Sequence, residues 1–213
     1  MAPPAYAARP NPNLGQNRQI ESEGYLKSNA LELGLRGRPA KFLTAQARYN
    51  LGKTYNDSAF ITFFPANSYF PNADWSRSNN DQRHKLDLLA SLEAGKWFSF
   101  GTALSAYSGK PVNITTGNDD NRDGLALDRP SGVPRNSMHG PAFLGLDLNL
   151  AHDFPLTWEG SKGPTLSLTL NSFNVLNHPN DMTYIGVIGS PFFGRAVAAE
   201  PPRRMQLNLQ FKF

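Results

Sequence analysis

The residues best suited to chemistry form one oxygen-rich run: Asp119-x-Asn121-x-Asp123-Gly124, followed by Asp128. Calcium takes about six to eight oxygen ligands, and acidic side chains at alternate positions before a glycine bend can wrap around it. The twelfth position of this run is Pro130 instead of a bidentate glutamate, and Asp128 could supply an oxygen in its place. The sequence therefore allows either a structural Ca²⁺ site in the loop 108–141, or a polar turn ordered by its own Asx side chains.

The sequence contains none of the residue patterns that are typical of catalytic sites. The four histidines lie far apart, without the paired spacing of metal ligands: His84, His139, His152 and His178. Isolated histidines of this kind are usually hydrogen-bonded residues of loops and strand ends. With no cysteine, no nucleophile-elbow motif and no phosphate-binding glycine loop, we expect no enzymatic activity and no catalytic or cofactor-binding residue.

Aromatic residues crowd one polar segment, and they are Phe60, Phe63, Phe64, Tyr69, Phe70 and Trp75. Exposed aromatic rings can clamp a sugar or peptide ligand. They equally serve as loop packing or as an interfacial girdle, so ligand-binding residues stay unassigned. A second group, Trp97, Phe98 and Phe100 with Trp158, lies beside short turns, and we expect it to form a girdle at that end.

These residues are positioned by segments that alternate polar and apolar side chains with the period of a β-strand. Seven such segments lie near 27–36, 41–51, 84–94, 97–107, 143–153, Leu166–Asn171 and 204–213. The last ten residues alternate without an error and end on Phe213. Each segment is about a dozen residues, close to the length a tilted strand needs to cross a bilayer.

The connections alternate in length. Short turns are expected at Gly37-Arg38-Pro39, Gly95-Lys96 and 155–163, and long loops at 53–82, 108–141 and 177–202. This asymmetry is typical of transmembrane barrels, which have short periplasmic turns and long extracellular loops. The sequence therefore predicts an all-β, antiparallel transmembrane barrel in the cell outer membrane. Its lumen-facing residues would be Glu32, Arg36, Arg48, Asp87, Glu93, Asp147, Asn149 and Asn171.

Composition agrees with this interpretation. The 18% of charged residues falls below the roughly 25% of soluble domains, and no apolar run is long enough for a transmembrane helix. The net charge of +4 comes from scattered basic residues, so we expect no nucleic-acid partner.

The number of strands bears on how the chain is organised. Seven strands do not close a bacterial single-chain barrel, which uses even numbers from about eight upward. We therefore expect the C-terminal part of a larger barrel at 25–213, or a truncated reading frame. Residues 1–24 would then be the remainder of an extracellular loop or a disordered N-terminus.

Several local motifs, taken in order, resemble a known family. They are Asp81-Gln82-Arg83-His84, Gly109-Lys110-Pro111-Val112-Asn113, Asp128-Arg129-Pro130, Arg135-Asn136-Ser137, Phe173-Asn174-Val175-Leu176-Asn177-His178-Pro179-Asn180 and Phe192-Phe193-Gly194-Arg195. The set is similar to the C-terminal end of TonB-dependent outer-membrane receptors, most of all the Oar-like branch that carries a carboxypeptidase-regulatory-like domain.

The resemblance implies a barrel of about 22 strands with an N-terminal plug, energised through TonB. It also implies that the strand ending in Phe213 is read by the barrel-assembly machinery. Outer-membrane lipid would be a partner of this chain, whereas the TonB complex would act only through N-terminal parts that the chain lacks. Substrate uptake would then belong to the full-length parent.

Two other functions are compatible with the sequence. One is a structural or adhesive outer-membrane β-protein without energised transport. The other is a soluble carbohydrate-binding β-sandwich, because a sandwich produces the same alternation of polar and apolar residues.

Overall fold

A computed structural model of the chain describes residues 19–58, 63–68, 70–95, 98–156 and 163–213. The predicted residues Phe60, Tyr69, Trp97 and Trp158 lie outside these ranges, as does most of the segment 1–24.

The described part is built from β-strands. Seven of them are long: β1 (Leu26–Ala40), β2 (Leu43–Asn56), β4 (His84–Glu93), β5 (Ser99–Tyr107), β8 (Phe143–Pro155), β9 (Thr165–Phe173) and β12 (Arg204–Lys212). Five are short and lie between them: β3 (Ser76–Arg77), β6 (Pro111–Val112), β7 (Met138–His139), β10 (Asp181–Tyr184) and β11 (Ala196–Ala199). One 3₁₀ turn spans Pro71–Asp74.

The long strands form one antiparallel sheet in the order β1-β2-β4-β5-β8-β9-β12, and β3 adds to β2. Strands next to each other in the chain are therefore neighbours in the sheet, as in an up-and-down barrel. The two ends of the order are β1 and β12, and no ladder joins them within the part of the chain that the structure describes. The predicted all-β, antiparallel fold is confirmed.

The register gives the sheet two chemically different faces, because residues directly opposite each other share a face. One row of partners reads Leu33, Tyr49, Leu86, Ala106 and Leu144 across five strands. The adjacent row reads Gly34, Arg48, Asp87, Ser105 and Gly145. We call these the apolar face and the polar face of the sheet.

Burial in the described part is the inverse of that in a soluble domain. Ala66 and Pro111 are its only buried apolar residues, whereas twelve polar residues are buried, among them Asp74, Arg135 and Asn180. Leucines of the apolar face stay open to the surroundings, for example Leu209 at 65% exposure. A two-sheet sandwich would bury such leucines between its layers, so the soluble sandwich has no support in this fold.

One predicted turn is wrong. Gly37, Arg38 and Pro39 lie inside β1, where the register shifts between Gly37 and Ala40, and the turn falls at Lys41 and Phe42. Pro39 is tolerated in the strand because it lies at this register shift, where the ladder is locally interrupted and a missing N–H costs no ladder bond. The first two strands are consequently longer than predicted.

The long connections contain structure that the alternation pattern does not predict. The strands β6 and β7 pair with each other, and so do β10 and β11. Close backbone contact fixes the start of the second long loop, because a Cβ atom on Gly109 would lie 1.9 Å from the carbonyl oxygen of Gly140. These loops are therefore folded against one another at one end of the sheet, which we call the long-loop end.

Candidate functional site

The centre of the polar face carries the first candidate site. A hollow of about 380 Å³ lies against β1, β2, β4, β5, β8 and β9. The polar residues that line it are Arg36, Thr44, Gln46, Ser91, Thr102, Asp147, Asn149 and Asn171. Four of the predicted lumen-facing residues, Arg36, Asp147, Asn149 and Asn171, are thus brought together. We call this hollow the luminal groove.

Hydrogen bonds order the polar face around this groove. The Asn149 amide Nδ2 donates to Oδ1 of Asn171 at 2.6 Å, across the β8–β9 pair. Asp87 accepts hydrogen bonds from the hydroxyl groups of Ser105 and Tyr107. The wall combines these polar groups with a larger apolar surface from residues such as Leu89, Ala103 and Phe173, so the groove offers hydrogen bonds as well as apolar contact.

The other predicted lumen-facing residues lie on the same face. Arg48 forms an ion pair with Glu32, with 3.2 Å between Nε and Oε1, and both side chains are more than half exposed. Glu93 stands opposite Ser99 at the short-turn end of the sheet. An exposed ion pair of this kind adds little to the stability of the fold. Its main effect is to place charged groups on the polar face.

A second hollow of about 280 Å³ lies nearer the long-loop end, and its wall includes Tyr107, Phe143, Asn180 and Glu200. Asn180 fixes this region because it accepts from the Leu144 N–H at 2.8 Å and donates to the Leu144 carbonyl at 2.9 Å. Asn174 donates its backbone N–H to Oδ1 of Asp147 at 2.8 Å. The asparagines that follow β9 therefore hydrogen-bond the segment after β9 to β8, beside the luminal groove.

Arg135 and Asp74 are the most deeply buried charged residues in the described chain, each at 1% exposure, and Arg135 makes the longer-range contacts. Its guanidinium donates through Nη2 to the Asn56 carbonyl at 2.6 Å and through Nε to the Asp74 carbonyl at 3.1 Å. It also stacks over the Phe63 ring, 5.2 Å from the centroid. Removal from water lowers the pKa of this guanidinium. Arg135 thus joins the second long loop to the first.

Asp74 forms the other half of this connection. Its carboxylate pairs with Arg129 and accepts the Ala66 N–H at 3.1 Å. Asn136, which adopts φ 58°, donates its side-chain amide to the Arg77 carbonyl at 2.7 Å. We call the group Asn56, Asp74, Arg129, Arg135 and Asn136 the loop junction.

The candidate calcium residues occur in one turn, but their oxygens accept hydrogen bonds from the chain. Asp119 accepts the N–H groups of Asp123 and Gly124 at 3.0 and 2.9 Å. Asp128 accepts that of Asn121 at 2.8 Å. No cluster of three or more acidic or histidine side chains placed to hold a metal occurs in the described ranges. The calcium site stays a prediction.

The remaining candidates are separate from the groove. His84, His139 and His178 each contact a different partner: Tyr49, Arg77 and Asn180. His152 packs edge-on against Phe154. Of the aromatic cluster, Phe63 lies under Arg135, and Trp75 packs at a tilt against Tyr25 and stacks on Tyr55, at 5.3 and 6.1 Å between centroids.

Sequence reasoning missed the role of the loop junction. Arg135 and Asn136 belong to a motif that carries the family resemblance, but the groups to which their side chains donate lie 56 to 79 residues earlier in the chain. The only local signal was the pair of adjacent residues Arg135 and Asn136, and this pair does not indicate which distant residues they contact.

Among the residues that the structure describes, no helix is both long and apolar enough to cross a membrane. The family model for the outer membrane beta barrel domain matches residues 2–134, which is more than half of the 213 residues. No curated protein and no solved structure matches the chain. The chain therefore belongs to the outer membrane beta barrel domain family, and it resides in the outer membrane of a Gram-negative bacterium.

Proposed function

We propose that the chain forms part of the barrel of a TonB-dependent outer-membrane receptor, and that the full-length parent takes up a polar solute. The observation that carries this proposal is the luminal groove, an open hollow of about 380 Å³ on the polar face of the sheet, with hydrogen-bonding groups such as Asn149 and Asn171 in its wall. A receptor barrel needs a hydrated interior of this kind, whereas a barrel that only anchors a domain does not.

The loops support the same function. Loops that recognise a solute must hold their binding groups in place before the solute arrives, because ordering them afterwards costs affinity. The loop junction provides that order through the buried Arg135 and Asp74. The ordered series of sequence motifs adds the resemblance to the Oar-like receptors.

The proposal also includes partners. β1 and β12 would pair with further barrel strands, because an open sheet edge in a bilayer leaves backbone N–H and C=O groups without partners. The barrel-assembly machinery would bind the strand that ends in Phe213. The TonB complex would act through parts outside this chain, and the chain itself would perform no catalysis.

Uptake is tested by growing two strains, one with the reading frame intact and one without it, and comparing which solutes each removes from the medium. Mass spectrometry of spent medium should identify a polar solute that is consumed only when the frame is intact. Its consumption should stop when a protonophore collapses the proton gradient, because TonB-driven uptake depends on that gradient. Identical depletion by both strains would contradict the proposal.

Loss of cell aggregation or surface attachment without any change in depletion would favour the adhesive alternative. The role of the groove is tested by a strain that carries Asn149→Asp and Asn171→Asp. These changes keep the size of both side chains and alter the charge of the groove. If the groove contacts the solute, this strain should lose uptake while the protein remains in the outer membrane at its normal level.

A further inference from the structure

The hairpin of β1 and β2 carries a surface that the proposed function does not use. The apolar face of this hairpin ends at the Leu31–Leu51 pair. Beyond it, in the direction of the long loops, the outward positions are Asn29, Lys53, Lys27 and Tyr55, followed by Tyr25 just before β1. We call Tyr25, Lys27, Lys53, Tyr55 and Trp75 the basic–aromatic patch.

The height of this patch relative to the lipid follows from strand geometry. Lys53 lies two residues beyond Leu51, and Lys27 lies four residues beyond Leu31. At about 3.4 Å per residue, the two lysines stand about 7 and 14 Å along the strands from the last leucine pair. Barrel strands tilt, which shortens both heights, so the two ammonium groups reach the level of lipid headgroups.

The aromatic rings fix the patch at that level. Trp75 packs at a tilt against Tyr25 and stacks on Tyr55, with centroid distances of 5.3 and 6.1 Å. Lys53 Nζ lies 4.9 Å from the centroid of the Tyr55 ring. Tyrosine and tryptophan prefer the boundary between hydrocarbon and headgroups, so these rings mark where the bilayer ends.

The charge of the patch is uncompensated. Both lysine side chains are exposed, and within the described part of the chain neither forms an ion pair. One carboxylate, Asp57, lies at the outer end of the hairpin, where it accepts the Tyr25 N–H at 2.7 Å. Two unpaired ammonium groups at headgroup height attract anionic headgroups, because each basic residue close to such a surface strengthens binding several-fold.

We propose that the basic–aromatic patch binds the phosphorylated headgroup of an anionic lipid in the outer leaflet. Lys27 and Lys53 stand on a diagonal of the β1–β2 ladder, with Asn29 opposite Lys53 and Tyr55 opposite Lys27. Diagonal neighbours lie about 7–8 Å apart, so two ammonium groups on flexible stems can converge on one phosphate or each take one. The rings of Tyr25, Tyr55 and Trp75 would pack on the sugar or glycerol part of the headgroup.

Titration of the full chain in neutral detergent with lipid A, a glycolipid that carries phosphates, tests the proposal, and native mass spectrometry counts the bound lipid. The double variant Lys27→Gln/Lys53→Gln should bind lipid A about thirtyfold more weakly at low ionic strength, because each basic residue near an anionic headgroup contributes a several-fold effect. Phosphatidylcholine should bind both proteins equally.

The matched control is Lys41→Gln/Lys212→Gln, which removes the same charge from exposed lysines at the opposite, short-turn end of the sheet. This control should keep the affinity of the wild-type chain, and circular dichroism should show the same β content in all three proteins. An equal loss of affinity in both double variants would overturn the proposal, since net charge alone would then explain binding. Displacement of lipid A by inorganic phosphate at constant ionic strength would overturn it too, because the site would then be one for free phosphate.

Discussion

At the scale of single residues, Arg135 has the largest expected effect on structure. Arg135→Leu leaves the carbonyls of Asn56 and Asp74 buried without a donor, which should cost the loop junction about 3 kcal/mol. Cleavage of the long loops by proteinase K in outer-membrane preparations should then be roughly a hundredfold faster. The cleavage rate of Arg135→Lys should lie between those of the wild-type chain and Arg135→Leu, because an ammonium cannot reproduce the planar set of donors.

The control for this change is Arg195→Leu, since Arg195 is exposed in the last long loop. Its cleavage rate should match that of the wild-type chain. Arg135→Leu loops as resistant as wild type would show that the junction does not hold them together.

The Asp119 turn gives a second prediction at the residue scale. Its two carboxylate oxygens each accept one backbone N–H group, and the single oxygen of an asparagine can replace one of these two bonds. Asp119→Asn should therefore keep part of the resistance of loop 108–141 to proteolysis in the presence of a chelator, whereas Asp119→Ala should lose it. Protection that requires added Ca²⁺ and disappears in Asp119→Asn would instead establish the calcium site.

At the scale of elements, β8 offers a matched pair of neighbouring positions. Leu148 lies opposite Thr102 and Ser172 on the apolar face, and Asn149 lies opposite Gly101 and Asn171 on the polar face. Leu148→Arg should make the free energy of membrane insertion less favourable by about 2–4 kcal/mol, the cost of an arginine facing lipid near the midplane. Asn149→Arg should insert normally. The measurement is the urea-resistant fraction in isolated outer membranes, and equal losses would refute the assignment of faces.

The strands of the sheet could be predicted because their signal is local. Each second residue of β8 and β12 faces the same way, so the pattern identifies the strand and its apolar face whatever its neighbours are. The end of β1 could not be predicted, because Pro39 is accommodated at a register shift of the β1–β2 ladder, and the alternation pattern does not locate such a shift. The luminal groove was predicted as a set of polar positions, whereas the loop junction depends on contacts between residues that are distant in the chain.

At the scale of the whole molecule, the sheet has one polar face, one apolar face and two edges that pair with no strand among the described residues. In a bilayer each unpaired backbone group at an edge costs several kcal/mol, so the edges must pair with other strands. The same constraint explains why buried polar residues outnumber buried apolar ones: the apolar side chains face lipid, and the polar ones pack in the loops. Orientation in the membrane then follows from the lengths of the connections.

That orientation is directly testable because the chain contains no cysteine, so each introduced thiol is unique. Ser131 is exposed in a long loop, and Lys41 is exposed in the short turn between β1 and β2. In intact cells, a membrane-impermeant maleimide should label Ser131→Cys, since long loops of outer-membrane barrels face outward. Lys41→Cys should be labelled only after the outer membrane is permeabilised. Labelling of Lys41→Cys in intact cells, with Ser131→Cys protected, would reverse the orientation and remove the basis for an outer-leaflet lipid at the basic–aromatic patch.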